Sequence, residues 1–105
     1  MNITKKRTAI DSPENPISDG DEVGVYYDDG SGPTQIYSKT VPDTDNFIID
    51  TDNLIQNSPP QDKTVTVWKL DGTGSRDTKL DDADLKVQDL SLNFNPGTVD
   101  FVNTA

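Results

Sequence analysis

The apolar residues of this chain alternate with polar ones in short runs, and turn-forming residues separate the runs. Residues 22–27 (EVGVYY) and 34–41 (TQIYSKTV) show the period of two that is typical of half-buried strands. The residues between them, 28–33, include two glycines, so we expect the two runs to form a β-hairpin. The run 63–70 (KTVTVWKL) predicts a further strand. Two more alternating runs predict strands at residues 90–94 and 98–102.

Residues 76–90 carry two conflicting signals. Leu80 and Ala83 have helical spacing, whereas the residues from Leu85 onwards alternate as in a strand. We predict a short helical turn at residues 81–84 and then a strand beginning at Leu85. Helix and strand both remain open for this stretch.

The motif Asp-Thr-Asp-Asn occurs twice, at residues 43–46 and 50–53. The interval of seven residues is about two helical turns, which would place the apolar residues after each motif on one stripe of a helix. Asp, Asn, Thr and adjacent isoleucines disfavour a helix, however. We therefore predict a strand at 47–50, a turn, and a short strand or one helical turn at 54–56. A helix over 44–56 is the alternative.

These runs predict an all-β fold, a small antiparallel β-sandwich or barrel of about six to eight short strands. Two segments, WKLDG at 68–72 and LDDADLKV at 80–87, resemble the tryptophan-bearing strand and the acidic turn of immunoglobulin-like domains. The resemblance implies an Ig-like sandwich. The chain lacks the cysteine pair of that family, and Lys86 stands where its corner tyrosine is expected.

The composition limits the core and excludes several kinds of chemistry. Only 30% of the 105 residues are hydrophobic and the mean hydropathy is −0.70, so we expect one domain with a thin core. The chain has no Cys and no His, which excludes disulfides, zinc sites of the usual kind and the Ser-His-Asp triad. No apolar run is long enough for a membrane span or a signal-peptide core.

Charge divides the chain into two parts. It has 9 basic and 19 acidic residues, and three of the basic residues lie in the first seven positions (MNITKKR), which hold no acid. We predict an extended basic N-terminal arm over 1–16 and a single β-rich domain over 17–105. A net charge of −10 repels polyanions, so neither nucleic acid nor a membrane is an expected partner.

The aspartates of the repeated motif are the candidate metal ligands. Calcium takes six to eight oxygen ligands, and both copies of the motif have apolar residues where an EF-hand loop needs an oxygen side chain and a glycine. The other interpretation is a pair of turns in which each carboxylate accepts backbone N–H groups. We favour turns and expect no cofactor. The residues that a calcium site would use are Asp43, Asp45, Asp50 and Asp52.

Basic and aromatic residues supply the candidate contacts to a partner. Tyr26 and Tyr27 are adjacent on a predicted strand and therefore point to opposite faces, so one of them is expected outside the core. An outward tyrosine anchors a partner, stacks on a sugar, or packs at the rim of a sheet. We expect Trp68 in the core. The predicted docking residues are Lys5, Lys6, Arg7, Tyr26, Tyr27 and Tyr37.

These features lead us to expect a non-enzymatic structural or interaction protein that acts within a larger assembly. By analogy, such a short β-rich chain suits a virion accessory of the tailed-phage type: a capsid decoration, head–tail or fibre-attachment protein made in the host cytoplasm. Its expected partners are other protein subunits, either further copies of the chain or a capsid or tail protein. The alternative is a cell-surface or secreted carbohydrate-binding β-module, with or without calcium.

Overall fold

The computed structural model of the chain describes residues 2–6, 17–28, 30–42, 47–56, 61–94 and 100–104; the side chains of 2–6, 52 and 100–104 are not described. The described residues form eight strands and one short helix. In chain order these are β1 (Asn2–Lys6), β2 (Glu22–Asp28), β3 (Pro33–Thr40), β4 (Ile48–Asp50), α1 (Thr51–Gln56), β5 (Lys63–Leu70), β6 (Arg76–Lys86), β7 (Ser91–Phe94) and β8 (Asp100–Thr104). The chain is thus mostly β, as the alternating pattern predicts.

The described strands form two antiparallel sheets. The larger has the order β3-β2-β5-β6-β7 and the smaller the order β4-β1-β8. The predicted hairpin is confirmed as β2–β3, and β5 coincides with the predicted run 63–70. Residues 2–6, assigned to an extended arm from the sequence, form the central strand of the smaller sheet. The division of the chain into an arm and a domain stays a prediction.

One side of the larger sheet, which we term the core face, holds the buried apolar residues. Val25 of β2 lies opposite Val67 of β5, and neither side chain is exposed. Ile49 of β4 and Leu54 of α1 belong to the same cluster, so residues from outside the larger sheet cover the core face. Burying side chains of this size contributes about 1.5–3 kcal/mol each. The opposite side of the larger sheet is termed the outer face.

Strand β6 corrects the prediction of a helical turn at residues 81–84. Val67 pairs with Asp81 whereas the next residue of β5, Trp68, pairs with Lys79, so Leu80 is an extra residue in the strand. This β-bulge places Leu80 and Asp81 side by side in the interior, with 2% and 5% of their surfaces exposed. The bulge advances the alternation by one position, and the resulting three-residue interval to Ala83 imitates helical spacing.

Helix α1 begins at the second copy of the repeated motif. Oδ1 of Asp50 accepts a hydrogen bond from the backbone N–H of Asn53, 3.2 Å away, which is the arrangement of a helix N-cap. The strand β4 ends at Asp50, and Leu54 then enters the core from the first turn of the helix. Residues 54–56, left open between strand and helical turn, are therefore helical.

Candidate docking surface

The outer face of the larger sheet is shaped by a glycine in the middle of β2. Val23 and Val25 point to the core face, so Gly24 between them has the orientation of an outer-face residue. A Cβ built on Gly24 would lie 3.0 Å from Cε1 of Tyr26 and 3.1 Å from Nε2 of Gln35. The missing side chain therefore leaves the space in which the Tyr26 ring lies against the sheet. The Gln35 amide donates a 3.0 Å hydrogen bond to the Tyr26 hydroxyl and fixes that position.

Trp68 lies on the same face, and this corrects the expectation that it belongs to the core. It pairs with Gly24 across β2 and β5, and its side chain is half-buried outside the core cluster. The indole Nε1–H donates a 2.9 Å hydrogen bond to Oγ1 of Thr66, which is two residues earlier on the same face. This bond restricts the rotation of the indole ring.

The guanidinium of Arg76, the first residue of β6, lies close to both aromatic rings. The centre of its guanidinium lies 5.4 Å from the centroid of the Tyr26 ring and 5.1 Å from the centroid of the Trp68 ring. Both distances fall within the range of cation–π attraction, which contributes about 0.5–1 kcal/mol at an exposed site. We call Tyr26, Trp68 and Arg76 the aromatic–arginine cluster.

Two open depressions flank this cluster. The first has a volume of about 530 Å³ and is bordered by the cluster together with Thr64, Thr66 and Lys79 among others. The second, of about 500 Å³, is bordered by the cluster and Ser75. The three residues therefore form a ridge between two concavities. Lys79 also forms an exposed ion pair with Asp82, with Nζ and Oδ2 3.2 Å apart, which is of little energetic weight.

The structure separates the three tyrosines that the sequence proposes as docking residues. Tyr26 lies on the outer face, although only 8% of its surface is exposed because Gln35 and Arg76 cover it. Tyr27 packs against the core cluster, and Nζ of Lys63 lies 4.2 Å from its ring centroid. Adjacent tyrosines thus face opposite ways, as expected.

Tyr37 lies on β3, at the edge of the larger sheet, and is packed partly against the core. Burial raises the pKa of its hydroxyl above the ordinary value. The nearby Asp50 carboxylate raises this pKa further, whereas a hydrogen bond from the Asp50 backbone lowers it. Tyr37 therefore lies against Asp50, the last residue of β4, and is not part of the aromatic–arginine cluster.

The basic docking candidates lie largely outside what the structure describes. The backbones of Lys5 and Lys6 pair with those of Phe101 and Asp100 in β8. Arg7 falls outside the described residues, and so do the side chains of Lys5 and Lys6. Their role in docking stays a prediction.

The candidate calcium ligands do not come together in the part of the chain that the structure describes. Asp43 and Asp45 lie outside it, as does the side chain of Asp52. The carboxylate of Asp50 caps α1. Among the described residues, no group of three or more acidic side chains is arranged to hold a metal ion. The second copy of the motif therefore has the local role of a turn and helix cap.

Comparison with known proteins gives no relative: no protein-family model, curated protein or solved structure matches the chain. Within the described residues, no helix has both the length and the apolar character that crossing a membrane requires.

Sequence reasoning missed Arg76 and Gly24, and it placed Trp68 on the wrong side of the sheet. The alternation of β5 contains the relevant signal, because it groups Trp68 with Thr64 and Thr66, opposite the valines. Arg76 follows the turn after β5, and the hairpin brings it opposite Leu70. The pairing of Arg76 with Leu70 in this hairpin places Arg76 near Trp68, two residues before Leu70. No feature of the sequence of β5 and β6 indicates that β2 pairs with β5 on the side opposite β6 and brings Tyr26 to the cluster.

Proposed function

We propose that this chain is a non-enzymatic interaction protein that docks onto another protein subunit through the aromatic–arginine cluster. The observation that supports the proposal is the presence of Tyr26, Trp68 and Arg76 together on the outer face, with the Arg76 guanidinium 5.4 Å from the Tyr26 ring centroid and 5.1 Å from the Trp68 ring centroid. Tyr, Trp and Arg are the residue types that contribute most to binding at protein interfaces. Contacts within the chain already hold all three, so little side-chain freedom remains to be lost on binding.

The assembly that we propose is a virion of the tailed-phage type, in which the chain is an accessory such as a capsid decoration, head–tail or fibre-attachment protein. The two flanking depressions support docking into a groove of a neighbouring subunit, because the walls of a groove would contact both sides of the ridge. The acidic composition, with a net charge of −10, supports a protein partner over a nucleic acid. The expected location is the virion, after synthesis in the host cytoplasm.

For the fold, we propose that the two sheets form a small Ig-like sandwich. The support is the shared core cluster, in which Ile49 of the smaller sheet and Val67 of the larger sheet both take part. Sheets that pack face to face share one interior in this way. This arrangement would leave the outer face of the larger sheet uncovered and available to a partner.

Density-gradient sedimentation of particles from the cells that encode the chain tests the proposed function. We expect the chain to band with the particles at a fixed copy number, measured by quantitative mass spectrometry. Trp68→Ala should lower that copy number at least tenfold, because it removes the centre of the ridge. Gln88→Ala, in the exposed turn after β6, is the matched control and should leave the number unchanged. A chain that stays at the top of the gradient would refute the virion role.

Carbohydrate binding is the second candidate, and the open depressions beside Trp68 are the observation that favours it. Aromatic side chains that bind sugars offer a free ring face for stacking. Here Tyr26 is 8% exposed and Arg76 lies over both rings, which makes this candidate weaker. A glycan array with and without calcium distinguishes the two, because only the second candidate expects selective glycan signals that Trp68→Ala abolishes.

A further inference from the structure

Arg76 is one of three described basic side chains that form no ion pair with a described carboxylate, and it is the one guanidinium among the described side chains. Lys69, Lys79 and Lys86 form ion pairs, with Asp21, Asp82 and Asp62 respectively. Lys39 donates to the backbone carbonyl of Ile48, and Lys63 lies over Tyr27. No carboxylate of the described residues pairs with Arg76, although the chain has 19 acidic residues for 9 basic ones.

The position of Arg76 suits it for binding an anion from outside the chain. A guanidinium carries five N–H donors around the edge of a planar group, and they match the two oxygens of a carboxylate. When the flat side of the group lies on aromatic rings, its edge stays available. The rings also exclude water from one side, which strengthens a charge-assisted hydrogen bond at the edge.

We propose that Arg76 recognises a carboxylate of the partner protein, an Asp or Glu side chain within an otherwise uncharged and partly apolar segment. This inference rests on the proposed function, since it names the chemistry of the partner at the same surface. The carboxylate binds the guanidinium edge, while neighbouring apolar groups of the segment contact Trp68 and enter the flanking depressions. Lys79 and Asp28 both border the first depression, and Lys79 is already paired with Asp82, so the attraction for the anion comes from Arg76.

The net charge of the chain restricts the partner further. A segment with many acidic residues would be repelled by a body that carries −10, whereas one carboxylate among uncharged residues meets mainly the local field of Arg76. A second copy of the chain is disfavoured for the same reason. An acidic sugar would also supply a carboxylate, but Arg76 covers the ring faces on which the sugar would stack.

Nitrogen-15 NMR of the intact chain tests this proposal directly. The sequence has two arginines and one tryptophan, so the arginine Nε–H region holds two signals and the indole region one. Arg7→Lys assigns the signals. The ligands are acetyl-Leu-Glu-Leu-amide, the matched acetyl-Leu-Gln-Leu-amide, and methyl glucuronide as the acidic sugar. We expect the glutamate peptide to shift the Arg76 and Trp68 signals in a saturable manner, at least tenfold more tightly than the glutamine peptide.

Two charge variants separate recognition from general attraction. Arg76→Lys keeps the charge but loses the planar set of donors, so binding followed at the Trp68 indole should weaken at least fivefold. Lys86→Gln removes a distant positive charge and should change binding less than twofold. Equal effects of the two variants would overturn the proposal, as would equal binding of the two peptides or no saturable shift. If the glucuronide binds more tightly than the glutamate peptide, the ligand of Arg76 is an acidic sugar and the proposal of a protein carboxylate is wrong.

The experiments distinguish a failure of the carboxylate assignment from a failure of the proposed function. If Trp68→Ala releases the chain from particles while Arg76→Lys neither does so nor weakens peptide binding, the docking surface stands and the carboxylate assignment is wrong. If the chain never associates with particles but binds the glutamate peptide through Arg76, the virion role is wrong and the assignment stands.

Discussion

Replacement of Gly24 by alanine tests whether the outer face depends on the missing side chain. The new Cβ would lie 3.0 Å from Cε1 of Tyr26, 3.1 Å from Nε2 of Gln35 and 3.3 Å from Cδ1 of Leu70. All three separations are shorter than an ordinary van der Waals contact, so the ring and the amide have to move. The backbone itself accepts alanine, because Gly24 is not among the glycines with positive φ.

The substitution Gly24→Ala has one stabilising and several destabilising effects on the free energy of unfolding. Alanine is more favourable than glycine inside a strand by about 0.5–1 kcal/mol. Against this, the variant loses the hydrogen bond from Gln35 to Tyr26, which contributes about 1 kcal/mol. Forcing the tyrosine from its rotamer costs about 0.5–1.5 kcal/mol, and weakening its contact with Arg76 costs about 0.5–1 kcal/mol. We expect the free energy of unfolding to fall by roughly 1–3 kcal/mol.

Urea unfolding followed by fluorescence provides the assay, because Trp68 is the single tryptophan and lies in the cluster. Gly72→Ala is the matched control: a Cβ there meets no atom within 4 Å, so its stability should stay within about 0.5 kcal/mol of the parent. If Gly24→Ala is as stable as Gly72→Ala and leaves the near-ultraviolet circular dichroism unchanged, the packing of Tyr26 over Gly24 is wrong.

Three further predictions concern stability. Leu90 has a φ of 52°, a left-handed conformation that asparagine adopts more easily than leucine, and its side chain is 45% exposed. Leu90→Asn should therefore raise the free energy of unfolding in urea titrations by about 1 kcal/mol. A decrease would show that the backbone at position 90 is not strained. Oγ1 of Thr51 is buried without a hydrogen-bond partner among the described residues. Thr51→Val removes this hydroxyl and should raise the free energy of unfolding by about 1 kcal/mol. A thermal melt measures the effect, and a lower Tm for the variant would contradict the prediction. Because burial raises the pKa of Tyr37, the unfolded chain ionises this group first, and stability falls as pH rises above about 10. Tyr37→Phe should lose less stability between about pH 9 and pH 11, and an equal loss would contradict the assignment.

The sequence predicts the strands well where one face is buried and the period of two is unbroken. β2 and β5 alternate through residues such as Val23 and Val65, and their positions follow from this pattern alone. In β3 a register shift opposite Val25 and Tyr26 brings both Ile36 and Tyr37 against the core. β6 was missed because the bulge at Leu80 interrupts the alternation and imitates a helix. The position of a bulge depends on how a strand pairs with its neighbour, so the sequence of the strand alone does not predict it.

The cluster could be predicted only in part, because it joins three segments that are distant in the sequence. The hairpin β5–β6 connects Trp68 and Arg76 through a local turn, in which Oδ1 of Asp71 accepts the N–H groups of Thr73 and Ser75. Tyr26 arrives through the long-range pairing of β2 with β5. That pairing is set by burial of the two core faces, and residue types alone give no indication of it.

The most direct test of the account measures whether a partner covers Trp68. The chain is prepared with 5-hydroxytryptophan at position 68, whose emission can be separated from that of ordinary tryptophan in a large assembly. Quenching by acrylamide is compared for the free chain and for the chain bound to its particles. We expect the quenching constant to fall at least fivefold on binding, because docking through the aromatic–arginine cluster excludes the quencher. An unchanged constant for the bound chain would show that the partner binds elsewhere.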